Sequence, residues 1–212
     1  MQADFWHKKW QDNKIGFHES APNSLLTANF AKLNLAKASR IFLPLCGKTL
    51  DIAWLLSNEY QVVGAELSPM AIEQLFDQLK LEPHITTIGK LQHYSATNID
   101  IFVGDIFDLT NKMVGTIDAI YDRAALVALP ETTRRHYTQH MIEISNNAPQ
   151  LLICYEYDQS LRQGPPFSVS GEEIKSHYAK NYDIHLLEKS TAENAMTAVE
   201  NVWYLKQTTV DK

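Results

Sequence analysis

Two segments indicate the fold of this chain most directly: Phe42-Leu-Pro-Leu-Cys-Gly-Lys-Thr49 and Val62-Val-Gly-Ala-Glu-Leu-Ser68. Each is an apolar run, typical of a buried strand, that ends in special residues just before a helical pattern. The first run ends in a turn containing Gly47, and the second ends on the acidic Glu66. In an open α/β sheet, an acid at such a strand end binds ribose hydroxyls, and a glycine turn admits the rest of the ligand. The pair therefore predicts a site for a nucleoside-type ligand.

Strand-like and helix-like patterns alternate from residue 40 onwards. Ser68 and Pro69 mark the start of one helix as its N-cap and first residue. Consecutive strand patterns close the chain, which indicates an α/β sheet with helices on both faces, finished by a hairpin. The predicted strands are 40–45, 61–66, 91–94, 100–103, 117–121, 151–155, 184–187 and 199–205, and the predicted helices are 50–57, 69–80, 130–145 and 172–180.

Length and composition predict one globular domain. The 212 residues suffice for one substantial core, and 45% hydrophobic with 21% charged residues is ordinary for such a domain. The net charge of −6 disfavours nucleic acid as a partner, because phosphate-backbone binding needs clustered basic residues. The sequence has neither the apolar stretch of a signal peptide nor a run long enough to cross a membrane, so we expect no membrane partner.

The residues that commonly bind metals show no metal-binding spacing. Cys46 and Cys154 lie in apolar runs without a CxxC pattern, which favours buried free thiols and a cytoplasmic location. His136 and His140 share one face of a predicted helix, but no third ligand stands at a recognised spacing. We therefore expect these histidines on a solvated helix face and expect no metal in the site.

Residues 1–38 differ from the rest of the chain because they are rich in aromatic and polar residues and lack strand character. Trp6 and Trp10 stand four residues apart, on one face of a predicted first helix. This pattern favours a helix that packs on the domain over one that lies on a membrane surface. The remaining residues, 39–212, form the predicted α/β core of the same domain.

Three classes of nucleotide cofactor compete for the turn at Gly47. A phosphate-binding P-loop needs a glycine where this chain has Phe42, and a dinucleotide site needs three glycines around the pyrophosphate. S-adenosylmethionine has the same adenosine and ribose but no phosphate. One glycine turn and Glu66 would suffice for it, so the missing glycines favour this cofactor.

Two further strand ends carry candidate site residues. Asp105 follows the strand pattern at 100–103, where it would either meet an adenine amine or serve as a helix N-cap. Asp122 and Arg123 end the strand pattern at 117–121 and would face the same crevice. A surface ion pair is the alternative for this acid–base pair.

These residues together resemble the bacterial branch of the thiopurine S-methyltransferase family, within the class I S-adenosylmethionine-dependent methyltransferases. The resemblance runs from near residue 5 to about residue 170, and it rests on the order and combination of its motifs. The matching segments are Trp6-His-Lys-Lys-Trp10, Phe17-His18, Phe42–Lys48, Val63-Gly-Ala-Glu66, Ser68, Ile106-Phe-Asp-Leu109, Tyr121-Asp-Arg-Ala-Ala-Leu-Val127 and Gly164-Pro-Pro-Phe167.

The resemblance implies a Rossmann-like, doubly wound, seven-stranded sheet with an antiparallel last strand. It implies a helical lid within residues 1–38 that closes over the ligands, and a core over 39–212. For the cofactor, it implies that Trp10 covers it, Leu45 contacts it, Glu66 binds its ribose, and Asp105 and Ile106 lie beside its adenine. Arg123 would line the place where cofactor and acceptor meet, and Phe17 would shield the acceptor.

The implied reaction is transfer of the S-adenosylmethionine methyl group to the sulfur of an aromatic or heterocyclic thiol. Nothing in the sequence requires more than a monomer, so we expect a monomeric enzyme. Arg123 would favour the ionised acceptor, and Asp122 would orient Arg123. Residues 185–200 contain no arginine, unlike the animal members, which makes drug-like thiopurines less certain acceptors than thiols in general. The alternatives are a methyltransferase for selenium or tellurium compounds, an NAD-dependent oxidoreductase and a non-catalytic adenosine-binding module.

Overall fold

The strands alternate with helices along the chain. In the computed structural model, which describes residues 3–191 and 198–208, Ser68 caps the fourth helix by accepting a hydrogen bond from the backbone N–H of Ala71. The strands are β1 (Arg40–Leu43), β2 (Gln61–Glu66), β3 (His84–Ile88), β4 (Leu91–Ala96), β5 (Ile99–Val103), β6 (Ala119–Arg123), β7 (Gln150–Glu156), β8 (Tyr182–Thr191) and β9 (Val199–Gln207). The helices are α1 (Ala3–Gln11), α2 (Ser24–Asn29), α3 (Leu50–Ser57), α4 (Pro69–Leu79), α5 (Asn111–Val114), α6 (Glu131–Ser145) and α7 (Gly171–Tyr178).

In the described part of the chain, the strands form one nine-stranded mixed sheet in the order β3-β4-β5-β2-β1-β6-β7-β9-β8. The five strands from β5 to β7 in that order are parallel, and β9 is antiparallel to both β7 and β8. The predicted α/β sheet with a terminal hairpin and an antiparallel last strand is therefore confirmed. The expected count of seven strands is too low, because β4 and β3 extend the sheet beyond β5.

Strand β3 is absent from the prediction for a physical reason. Four of its five residues are exposed, so it lacks the apolar alternation by which a half-buried strand is recognised. It forms an edge of the sheet and pairs only with β4 among the described strands. The structure also moves the start of β6 to Ala119, because the chain enters the parallel ladder only there.

The sheet is covered on both faces, and successive residues of each strand alternate between the two. Phe42 and Ile120 belong to the core on the α6 side, whereas Ile41 and Tyr121 belong to the core on the α3 side. This alternation determines which side chains at a strand end point towards the same space. Since parallel strands end at a common edge, the loops after β1, β2, β6 and β7 meet there.

The segment before the sheet has two parts. Residues 24–33 belong to the core, where Leu26 is fully buried and Phe30 packs edge to face on Trp54 with ring centroids 5.5 Å apart. Helix α1 and the loop to residue 19 instead contribute the N-terminal residues that line the cavity described below. The cavity-facing part of the N-terminal segment is thus Trp6–Glu19, which lies within the region 1–38 predicted as a lid.

Candidate active site

A cavity of about 590 Å³ opens at the carboxyl ends of the parallel strands. Its walls are the N-terminal residues from Trp6 to Glu19, the loops after β1 and β2, the end of β6, and a loop with Pro165 and Pro166. Of the predicted site residues, the cavity is lined by Trp10, Phe17, Leu45, Glu66 and Arg123. One space therefore joins most of the residues that the sequence identified separately.

Glu66 forms one wall through two backbone hydrogen bonds. Its Oε2 accepts from the N–H of Gly47 and its Oε1 from the N–H of Ser68, both at 2.8 Å. The residue is only 6% exposed, and burial raises the pKa of its carboxyl, opposed by these N–H donors. Each carboxylate oxygen retains a second lone pair with which to accept a hydrogen bond from a ligand hydroxyl.

Gly47 requires the absence of a side chain for two reasons. Its φ of +52° lies in the left-handed region, and a Cβ would stand 3.1 Å from Cζ2 of Trp10. Trp10 is 5% exposed and packs edge to face on Phe17, with ring centroids 5.6 Å apart. The glycine turn thus provides the surface on which the first helix closes this side of the cavity.

Two other cavity residues adopt left-handed backbone conformations without being glycine. Leu45 has a φ of +47° in the loop after β1, and Ala124 has a φ of +61° directly after β6. Such conformations cost free energy, on the order of 1 kcal/mol, and cluster at functional sites. Leu45 lines the cavity at the position that the resemblance assigned to it, whereas sequence pattern alone gives no sign of its backbone conformation.

Arg123 holds the N-terminal segment against the end of β6. Its Nη1 donates to the carbonyl oxygen of Phe17 at 3.1 Å, and its Nη2 forms an ion pair with Glu19. The arginine side chain is 9% exposed, so this charge is paired in a largely dry environment. Glu19 was missed by sequence reasoning, because more than a hundred residues separate it from its partner and no spacing rule connects them.

A chain of hydrogen bonds continues from Glu19 to the cavity floor. The Nδ2 of Asn23 donates to Glu19 at 3.2 Å, and the Asn23 backbone N–H donates to Oδ1 of Asp51 at 2.7 Å. The other oxygen of Asp51 accepts from the Tyr121 hydroxyl at 3.0 Å. Asp51 and Tyr121 are both buried and both line the cavity, so the network connects residues 19–23 to α3 and β6.

The orienting role expected for Asp122 is wrong. Asp122 and Arg123 are adjacent in a strand, so their side chains point to opposite faces of the sheet. The Asp122 oxygens accept from the Leu126 N–H at 3.1 Å and from the Tyr137 hydroxyl at 2.7 Å. Burial raises the pKa of this carboxyl to about 6. Glu19, not Asp122, is the carboxylate that fixes Arg123.

Asp105 and Ile106 lie beyond β5, outside the residues that line the cavity. The Asp105 carboxylate accepts from the Phe107 N–H at 3.0 Å, as the N-cap reading of this residue predicts. The preceding Gly104 donates its N–H to the Glu66 carbonyl at 2.9 Å, which brings this turn beside the end of β2. Asp105 therefore lies beside the site, but its carboxylate accepts a hydrogen bond within its own turn.

The histidines on α6 pack on the same turn. His136 is exposed and stacks on Phe107 with ring centroids 4.3 Å apart, whereas half-buried His140 contacts the carbonyl oxygen of Ile106 at 2.8 Å. The solvated-face interpretation is therefore wrong for His140. Within 3–191 and 198–208, no group of three or more His, Cys, Asp or Glu residues is arranged to hold a metal ion.

Three other sequence-based expectations can be compared with the structure. Cys46 and Cys154 are buried free thiols, as predicted. No helix in the described part of the chain is long and apolar enough to cross a membrane. Only part of the arginine-free region at 185–200 can be compared with the structure, since residues 192–197 lie outside the described residues.

Comparison with known sequences identifies one family. A family model described as thiopurine S-methyltransferase matches residues 1–208. A thiopurine S-methyltransferase of Xanthobacter autotrophicus is 47% identical over 212 residues, covering 98% of this chain and 100% of the relative. One from Acinetobacter baylyi is 51% identical over 197 residues, covering 91% of each chain.

Comparison with solved structures gives the same fold at low identity. A 1,6-didemethyltoxoflavin-N1-methyltransferase of Burkholderia thailandensis, solved with S-adenosylhomocysteine, matches with a TM-score of 0.69 at 12% identity, covering 98% of this chain and 87% of its own. An S-adenosylmethionine-dependent methyltransferase of Anabaena variabilis matches with a TM-score of 0.66 at 14% identity, covering 97% and 95%. These likenesses establish a Rossmann-like methyltransferase fold.

Proposed function

The chain belongs to the thiopurine S-methyltransferase family, and we propose that the cavity at the carboxyl ends of β1, β2 and β6 is its active site. The function is S-adenosylmethionine-dependent methylation of small thiols. The observation that carries the proposed location is the buried carboxylate of Glu66, fixed to Gly47 and Ser68 at the cavity wall.

The residues around Glu66 fit the adenosine end of the cofactor. A carboxylate with free lone pairs suits a ribose diol, and the single glycine turn matches a ligand without phosphate. Glu66 would bind the ribose, Leu45 would contact the cofactor from the β1 loop, and Trp10 would cover it. Asp105 and Ile106 would lie beside the adenine, supported by the hydrogen bond between the neighbouring Gly104 and Glu66. When bound, this cofactor supplies an electrophilic methyl group on a positively charged sulfur.

The N-terminal segment and β6 form the acceptor side of the proposed site. Phe17 would shield the acceptor from water, which strengthens electrostatic interactions inside the cavity. The guanidinium of Arg123 would stabilise negative charge on the acceptor sulfur, while Glu19 keeps its planar fork in one orientation. Rate enhancement would come mainly from holding the thiol sulfur in line with the methyl carbon.

Residues 3–19 are the proposed lid of this site. Their contacts with the rest of the domain run through side chains, including the Trp10 ring beside Gly47 and the ion pair of Glu19 with Arg123. Such contacts break and re-form without disturbing the sheet, so opening this segment would admit ligands. The functional unit would be one chain in the cytoplasm, with no nucleic acid or membrane partner. The buried free thiols support the cytoplasmic location, and the net negative charge disfavours nucleic acid as a partner.

Titration calorimetry followed by an activity assay tests this proposal. The full chain is titrated with S-adenosylmethionine, S-adenosylhomocysteine and NAD, and then assayed for methylation of aromatic thiols. Binding of the two methionine-derived ligands with production of a methyl thioether is the expected result. Binding of NAD alone, or ligand binding without transfer to any thiol, would contradict the proposal.

A further inference from the structure

His18 is a cavity-lining titratable residue to which the mechanism above gives no role. Its side chain lines the cavity between Phe17 and Glu19 in the chain. Among the described residues, the His18 imidazole has no hydrogen-bond partner, whereas the rings of His140 and His177 each have one. An unpaired imidazole at the wall of a reaction cavity is available to a ligand.

Arg123 contacts the residues on both sides of His18. The guanidinium donates a hydrogen bond to the Phe17 carbonyl and forms an ion pair with the Glu19 carboxylate. A third contact restrains the loop, since the His18 N–H donates to the Ile15 carbonyl at 2.8 Å. The loop that carries the imidazole is therefore held at the cavity wall by the same arginine that would face the acceptor sulfur.

The surroundings of His18 favour its neutral form. Burial, and then the positive charges of Lys48 and Arg123, lower the pKa of the imidazole. At neutral pH one ring nitrogen therefore carries a lone pair and can accept a proton. The same two cations would stabilise a negatively charged sulfur nearby, and the charge of that thiolate would in turn stabilise the imidazolium formed by the proton transfer.

We propose that the imidazole of His18 is the general base that removes the proton from the acceptor thiol. This inference rests on the proposed function and extends it to a class of acceptors: thiols too weakly acidic to be ionised in solution. Aromatic thiols that are already ionised need no base, whereas less acidic thiols gain from one placed beside the sulfur. His18 would thereby broaden the range of thiols that the site can methylate.

The proposed step balances in protons and electrons. The S–H proton moves to the unprotonated ring nitrogen of His18, and the electron pair left on sulfur forms the new S–C bond to the methyl group. The electron pair of the broken bond stays on the cofactor sulfur, which becomes a neutral thioether. The imidazolium of His18 then releases its proton to solvent, which restores the base.

A thiol series at one fixed pH tests His18→Gln against the wild-type chain. The series contains aromatic and aliphatic thiols whose pKa values lie below, near and above the assay pH. We expect kcat/KM of the variant to fall about 100-fold or more for the least acidic thiols and to change little for fully ionised ones. His84→Gln, at an exposed position on edge strand β3 and outside the cavity lining, is the matched control and should keep the wild-type profile.

Calorimetry with S-adenosylhomocysteine checks that His18→Gln retains a folded cofactor site. A loss of activity that is equal for all thiols would overturn the base assignment, because it would reflect positioning alone. Unchanged activity across the series would also overturn it. Failure of the wild-type chain to methylate any thiol would instead contradict the proposed function, so the two hypotheses fail by different outcomes.

Discussion

The two walls of the cavity are held by different kinds of interaction. The Glu66 wall depends on backbone N–H groups of the loop after β1. The N–H of Cys46 donates to the Ala65 carbonyl at 2.9 Å, and that of Gly47 donates to the Glu66 carboxylate at 2.8 Å. The opposite wall depends on side chains, above all on Arg123, which reaches Phe17 and Glu19 from far along the sequence. The proposed cofactor side is thus built into the sheet, whereas the proposed acceptor side is attached to it.

One fold can therefore combine a fixed site with an adaptable one. Sheet hydrogen bonds persist as long as the sheet does, so the Glu66 wall is preorganised for its ligand. A wall attached by one buried arginine and a short hydrogen-bond chain can open at much smaller cost. Substitutions on the two walls should therefore affect different measurements.

Glu66→Ala should have the largest effect, and it should fall on cofactor affinity. The change removes the acceptor for a ribose and leaves the N–H groups of Gly47 and Ser68 without their partner. We expect S-adenosylhomocysteine to bind about 100-fold more weakly, by calorimetry. Glu73→Ala, an exposed position on α4, is the control. Unchanged affinity in Glu66→Ala would remove this residue from the cofactor site.

Arg123→Ala should act on the acceptor side instead. It deletes the donor to Phe17 and the partner of Glu19, so kcat/KM for the thiol should fall about 30-fold. Arg123→Lys should recover only part of this loss, because lysine keeps the charge but lacks the planar fork. Calorimetry should show a much smaller change in S-adenosylhomocysteine affinity. Equal losses on both sides would show that the two walls are not separable.

Glu19→Gln should give a smaller loss, about 10-fold in acceptor kcat/KM, because the amide still accepts a hydrogen bond from Arg123 but carries no charge. The sharper measurement is the double variant with Arg123→Ala. If Glu19 acts by orienting Arg123, its substitution should cost little once the arginine is absent. Additive losses in the double-mutant cycle would show that Glu19 has a separate role.

Asp122→Asn should leave acceptor kinetics nearly unchanged, despite its position beside Arg123, because its carboxylate bonds Tyr137 and Leu126 on the other face. Its effect should be on stability. The pKa of this carboxyl is about 6 in the folded chain and about 3.9 when unfolded, so the folded state binds more protons between these values. The wild-type free energy of unfolding should therefore fall as pH rises from about 4 to 6.

Chemical denaturation at several pH values measures this contribution, with Asp122→Asn as the reference that cannot ionise. The difference between the two chains across the interval should be about 2 kcal/mol. A parallel pH dependence in both chains would show that Asp122 does not titrate in this range. A large loss of acceptor turnover in the variant would return Asp122 to the site.

Most of the architecture could be predicted because its signals are local. Helix α3 and strand β2 have the predicted bounds, as their apolar patterns end in a cap or turn residue. Strand β3 could not be predicted, since an exposed edge strand has no apolar period. Among site residues, Glu66 and Gly47 follow from strand-end position, whereas Glu19 and His18 stand in a loop without a local pattern.

The α/β fold, the family and the proposed position of the cofactor wall could all be predicted from the sequence alone. These depend on residues near one another in the chain or on the rule that parallel strands end together. Which side chains line the proposed acceptor side depends instead on the tertiary structure. Strand alternation sent Asp122 to the opposite face from Arg123, and long-range pairing brought Glu19 to that arginine. Packing across the whole domain determines such side-chain partners, so no local spacing in the sequence predicts them.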